Sequence, residues 1–138
     1  LPVGSRMMLT GGFKGRGREL SAAAVAHEVE RRLGLGLRDV VPEYGMTELT
    51  SQAYGRPFAA PPWLRLRVVD PATGADLPPG ERGLVAFFDL LNLDNVSAIL
   101  TSDLGELDAA GRLVLHGRAP GSTPRGCSLT AEELGLLR

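Results

Sequence analysis

One cysteine in 138 residues allows no internal disulfide, and such a chain suits a reducing compartment. No run of 18 apolar residues occurs, which excludes a helical membrane span. The opening "LPVGSRMMLTGG" lacks the layout of a secretory signal, so cytoplasmic placement is the expectation. Neither sign of charge dominates: 15 basic against 16 acidic residues leave a net charge of −1. Nothing in that balance draws in nucleic acid or an anionic membrane. The two histidines, His27 and His116, lie far apart without a His or Cys companion at ligand spacing, which excludes a structural zinc site. The first residue is leucine instead of methionine, so a piece of a longer chain, or a processed one, is expected.

Glycine (18) and proline (10) are abundant, and 43% hydrophobic residues suffice for one core. Residues 5–10, "SRMMLT", read as a short buried strand ending at Gly11-Gly12. The basic stretch "GGFKGRGREL" matches neither the Walker A pattern nor G-x-G-x-x-G. It reads as a flexible loop, or as one whose missing side chains let backbone approach a flat ligand such as adenine. Ser21 then suits a helix N-cap, Ala22, Val25, Val29 and Leu33 share a helical face, and Gly34 suits a stop. "RDVVPEYG" follows as a second strand, and strand–helix–strand predicts a parallel pair.

Beyond residue 60 the period changes. "WLRLRVVD" alternates, with Leu64, Leu66 and Val68 on one face. "DPATGADLPPGERG" is turn chemistry, and "GLVAFFDL", "VSAILT" and "RLVLHG" read as further short strands, the last two joined by a turn through "DLGELDAAG". A final helix, "TAEELGLL", starts at Ser128 or Thr130, with Glu132 and Glu133 at its positive end. The expected class is α/β. A βαβ lobe covers residues 1–60, a β-rich meander or distorted barrel 61–118, and a helix-bearing tail 119–138.

Two stretches carry candidate chemistry. "YGMTE", Tyr44 to Glu48, sets an aromatic, a glycine, a hydroxyl and a carboxylate at the end of a strand, where open α/β sheets bind ligands. Such residues can stack on a base, donate to a phosphate and hold Mg²⁺, although a plain turn has the same composition. In "TSDLGELDAAGRLVLHGR", Asp103 ends a strand and could accept both hydroxyls of a ribose; an aspartate before a turn is also common.

Taken in order, a Gly-Gly strand end, a helix, "YGMTE", "PPGERGLVAF" and "TSDLGELDAAGRLVLHGR" resemble the adenylate-forming (acyl-activating) enzyme superfamily, from about Met8 to Arg118. Its members condense a carboxylate with ATP to give an acyl-adenylate and pyrophosphate. The resemblance implies that Gly11 and Gly12 line an adenine pocket, that Tyr44 stacks on the base, that Gly45 beside it belongs to the cofactor site, and that Thr47 contacts the α-phosphate. It implies further that Glu48 holds Mg²⁺, that Asp103 binds the ribose, and that Arg118 lies at the ribose and an interdomain hinge. Ser102 departs from the family pattern, where many members have glycine. The family's upstream triphosphate-binding loop is absent.

The tail "GRAPGSTPRGCSLTAEEL" resembles the end of long-chain acyl-protein synthetases, the fatty-acid-activating subunit of bacterial luminescence fatty-acid reductase. That subgroup lacks the large C-terminal domain with a catalytic lysine. The resemblance implies a fatty acid or other carboxylate as substrate, ATP and Mg²⁺ as cofactors, Cys127 as acyl acceptor and a reductase subunit as partner. Lone cysteines are commonly core filler. Here Gly126 opens access, and Arg125 and a helix start favour thiolate. Two alternatives remain: an acyl- or aryl-CoA ligase, and a nucleotide-binding or partner-docking piece without catalysis.

Overall fold

A computed structural model of the protein describes residues 1–10 and 22–122. Strand β1 (Met7–Thr10) runs parallel to β2 (Val40–Tyr44), with Met7 opposite Val40 and Thr10 opposite Glu43. The helix α1 (Ala22–Leu33) lies between them in sequence, as the pattern predicts. Gly34 ends it at φ +68°, its amide donating back to the Glu30 carbonyl at 2.9 Å. The buried stripe centres on Ala26 and Val29, with Val25 half-buried. Leu33 was expected on that stripe, but it is 40% exposed on the last residue of the helix. Val29 packs with Leu35 and Val40, and Met7 and Leu9 cover this small cluster from β1. The Ser21 cap, the glycine-rich loop after Thr10 and the C-terminal helix lie outside the described residues.

The chain then doubles back. Two-residue β3 (Ala53–Tyr54) pairs antiparallel with the end of β2, Tyr44 opposite Ala53. "YGMTE" therefore opens a connection between antiparallel partners. A second sheet follows as an antiparallel meander in sequence order: β4 (Leu64–Val69), β5 (Gly83–Asp89), β6 (Ala98–Leu107) and β7 (Leu113–Arg118). Its first turn is held as the composition suggests, with Asp70 Oδ1 accepting from the amides of Ala72 and Thr73, both at 2.8 Å.

The two sheets share a core. Leu49 from the connection packs with Leu64, Val68, Val85, Phe87 and Leu113, and Tyr44, Met46 and Phe58 close over them. Phe58 and Leu113 also exchange a reciprocal pair of backbone hydrogen bonds, each 2.8 Å long.

One element differs from the sequence expectation. "DLGEL" is strand, and β6 runs unbroken for ten residues before a turn at 108–112. The glycine inside it serves close approach: a Cβ on Gly105 would stand 2.6 Å from Leu113 Cδ1 and 2.9 Å from Val85 Cγ2. Similarly, a Cβ on Gly83 would meet the Val69 carbonyl oxygen at 2.3 Å. Gly83→Ala should therefore cost about 1–3 kcal/mol in urea denaturation, the usual range for overpacking. Gly36→Ala is the control, because its methyl would meet only Asp39 Oδ2, at 3.6 Å. It should cost less than about 0.5 kcal/mol.

Candidate functional site

Three of the residues singled out by sequence meet where the two sheets join. Tyr44, the last residue of β2, packs its ring near Phe58 and Phe87, with centroids 5.6 and 5.7 Å away. Its hydroxyl donates to Asp103 Oδ2 at 2.6 Å, and the Arg118 guanidinium meets Asp103 Oδ1 at 3.2 Å. Burial, reinforced by the Asp103 carboxylate, pushes the Tyr44 phenol well above its ordinary value. Tyr44 therefore remains a proton donor across the physiological range.

Asp103 was expected at a strand end, but it sits within β6, opposite Arg118 in register. A bulge aims it there. Between Leu84 and Ala86 the β5–β6 register shifts, so Thr101 to Asp103 crowd opposite Val85. The Thr101 hydroxyl donates to the Val85 carbonyl at 2.8 Å and accepts from the Asp103 amide at 3.0 Å, replacing missing ladder bonds. A carboxylate has about four acceptor sites. Tyr44 and Arg118 engage one on each oxygen, which leaves room for a pair of ligand hydroxyls. The Asp103 side chain is 19% exposed, open enough for that contact.

The rest of the sequence motif forms a turn beside this cluster. Gly45 follows Tyr44, and the Leu49 amide donates to the Met46 carbonyl at 3.1 Å. Buried Leu49 anchors the turn, while Thr47 and Glu48 at its crest are exposed. Among the described residues, no hydrogen bond joins either side chain to Tyr44, Asp103 or Arg118. Glu48 is the one carboxylate on this crest, and no group of three His, Cys, Asp or Glu suited to a metal occurs among the described residues. A single accessible carboxylate suits Mg²⁺ carried on substrate phosphates better than a dedicated protein cage. Thr10 ends β1 opposite Glu43, and its hydroxyl donates to the Glu43 carboxylate. Gly11, Gly12 and Cys127 lie outside the described residues.

Sequence reasoning missed Asp89 and Asn92. Asp89, the last residue of β5, has no exposed surface. Its Oδ2 accepts from the Thr50 amide (3.2 Å), the Thr50 hydroxyl (3.0 Å) and the Ser51 amide (3.0 Å). Its Oδ1 accepts from the Ser51 hydroxyl (3.0 Å) and the Leu91 amide (3.1 Å). Burial, the largest single influence, works to raise its pKa. The bonds from Leu91, Ser51 and Thr50 together outweigh it and hold the carboxyl below the ordinary aspartate range. Asn92, 3% exposed, donates its amide to the Glu48 carbonyl at 2.8 Å and to the Val96 carbonyl at 3.0 Å. The available signal was two polar residues interrupting "AFFDLLNL", an apolar run without turn glycines. His116 lies inside β7 and meets Glu106 at 3.0 Å.

No protein-family model matches the chain, and no curated protein matches it. Solved structures do. Apo MatB from Rhodopseudomonas palustris superposes with a TM-score of 0.58 at 24% identity, over 83% of this chain and 26% of that one. ATP-bound MatB from the same organism matches at 25% identity and a TM-score of 0.52, over 70% of this chain and 23% of that one. McyG A-PCP complexed with phenylalanyl-adenylate matches 84% of this chain and 25% of its own, at 20% identity and a TM-score of 0.58. These neighbours are adenylate-forming enzymes. The fold is theirs. The chain spans about a quarter of the length of each. Among the described residues, no helix is long and apolar enough to cross a membrane.

Asp89→Ala strands several buried donors and should destabilise the fold by on the order of 3 kcal/mol, read by urea denaturation. The pH dependence has a definite sign. The folded pKa lies below the ordinary 3.8, so the carboxylate's contribution is complete at neutral pH and is lost as pH falls from 3.8 through the lowered folded value. The stability gap between wild type and Asp89→Asn should therefore narrow on titration from neutral pH to about pH 2.5. A gap unchanged with pH would count against a buried, ionised Asp89.

Proposed function

We propose that the chain forms the nucleotide-handling part of an ATP-dependent ligase that activates a carboxylic acid as its acyl-adenylate. The observation that carries this is the meeting of Tyr44, Asp103 and Arg118 in a fold shared with adenylate-forming enzymes. An ATP-bound neighbour and one holding phenylalanyl-adenylate support a nucleotide ligand. In this reading Asp103 accepts the ribose hydroxyls and Arg118 flanks them. Tyr44 and Gly45 border the adenine, whose pocket Gly11 and Gly12 also line. Thr47 donates to the α-phosphate, and Glu48 holds Mg²⁺, which when bound offsets phosphate charge.

The chemistry is activation. A carboxylate oxygen attacks the α-phosphorus, the bond to the β-phosphate oxygen breaks, and pyrophosphate leaves with the electron pair. The mixed anhydride is then open to a thiol, which a free carboxylate is not. We take the acceptor to be Cys127 on the tail, residues 119–138, as in long-chain acyl-protein synthetases. The acyl group, a long-chain fatty acyl in this reading, passes on to a reductase subunit, and the work is done in the cytoplasm. Residues 1–60 and 61–118 form the α/β and β-rich parts that hold the nucleotide between them. One finding favours a second reading, of a piece that binds nucleotide without turnover alone: the chain matches only 26% of MatB.

Calorimetric titration tests the nucleotide site. The 138-residue chain should bind AMP, Asp103→Ala should weaken that by about 1–3 kcal/mol, and Glu48→Gln should leave it nearly unchanged. Normal affinity in Asp103→Ala would remove that residue from the site. Pyrophosphate exchange into ATP should be absent in the isolated chain, and exchange at the rate of a complete ligase would refute the partial-site reading. For Cys127, the chain is treated with labelled fatty acyl-adenylate and then with neutral hydroxylamine. Label should be released from wild type and never appear on Cys127→Ala; hydroxylamine-labile label persisting on that variant would mark the thiol as filler.

A further inference from the structure

We infer that Asn92, supported by Asp89, is a positioning residue for the phosphate end of the nucleotide; this rests on the nucleotide reading above. The two residues most exposed on the motif turn, Thr47 and Glu48, are also those with phosphate and cation roles in that reading. Their side chains gain no support from the cluster around Asp103, so their aim depends on the backbone beneath them. That backbone is fixed from the other sheet. The Asn92 amide holds the Glu48 carbonyl, and Asp89 holds Thr50 and Ser51 by both amides and both hydroxyls.

The holding loop is itself rigidly tied. Asn92 spends its second amide hydrogen on the Val96 carbonyl, and its own backbone amide donates to the Asp89 carbonyl at 3.2 Å. The Ser97 hydroxyl donates to the Asn92 carbonyl at 3.1 Å, and the Asp89 amide donates to the Ser97 carbonyl at 2.8 Å. Mere anchoring needs no such device, because Leu49 already pins the turn in the core. Buried polar groups carry a desolvation cost that apolar packing avoids, but they fix orientation, which apolar packing does poorly. Pre-ordering a turn whose side chains face solvent lets a ligand bind without ordering it anew.

The prediction is selective. Asn92→Asp is isosteric but has no amide to offer the Glu48 carbonyl. The bond lost is the one to Glu48, the cation residue in that reading. Equilibrium dialysis with the 138-residue chain should therefore show Mg·ATP binding weakened about tenfold, while AMP, which brings no cation, changes less than about twofold. A merely structural residue would lower both affinities together, so equal loss overturns the inference, as does no loss of either. Wild-type chain that binds neither nucleotide would sink the nucleotide reading and this inference with it. If Asn92→Asp unfolds, amide hydrogen exchange on the wild type decides: Mg·ATP should protect Leu49 to Ser51 more than AMP does. Equal protection by the two overturns the inference.

Discussion

A carboxylate with no exposed surface, at the end of β5, joins the two halves of this fold. Asp89 faces the connection after β2 and satisfies four donors there. Without those donors the charge could not be buried, and without the charge two amides and two hydroxyls would lose their partner. The turn carrying Thr47 and Glu48 takes its place from this bargain. So does the groove of about 470 Å³ beside it, walled by Thr50, Ser51, Gln52, Tyr54, Pro61 and Trp63.

The second join is made through Tyr44. Its ring belongs to the shared core, and its hydroxyl reaches a bulged aspartate on β6. Tyr44 therefore serves packing and polarity together: the ring fills space between Phe58 and Phe87, and the phenol orients Asp103. The bulge is the enabling irregularity. A regular ladder at Thr101 to Asp103 would pair the Asp103 amide across the sheet, whereas here a threonine hydroxyl takes over that bonding.

The parts legible in sequence are those governed by local period. The parallel β1–β2 pair, α1 and the four-strand meander follow from alternation, 3.6-residue spacing and turn residues. Tyr44, Asp103 and Arg118 were legible by their order along the chain, although 59 residues separate the tyrosine from the aspartate. The strand character of "DLGEL" was not legible, because glycine serves both turns and close contacts and only the position of Leu113 tells them apart at Gly105. Asp89 and Asn92 were illegible for a different reason. Their meaning lies in partners 38 to 44 residues upstream, which no local window contains.

The reciprocal hydrogen bonds between Phe58 and Leu113 tie the last strand, in the second sheet, to the segment that follows β3 of the first. Leu113 is fully buried at that crossing, and its side chain packs among residues drawn from both. Opening that crossing would cost the segment after β3 a backbone partner and the shared core a side chain. That crossing couples the two halves of the described molecule, so the amides of Phe58 and Leu113 are expected to exchange with solvent more slowly than those of the exposed turns.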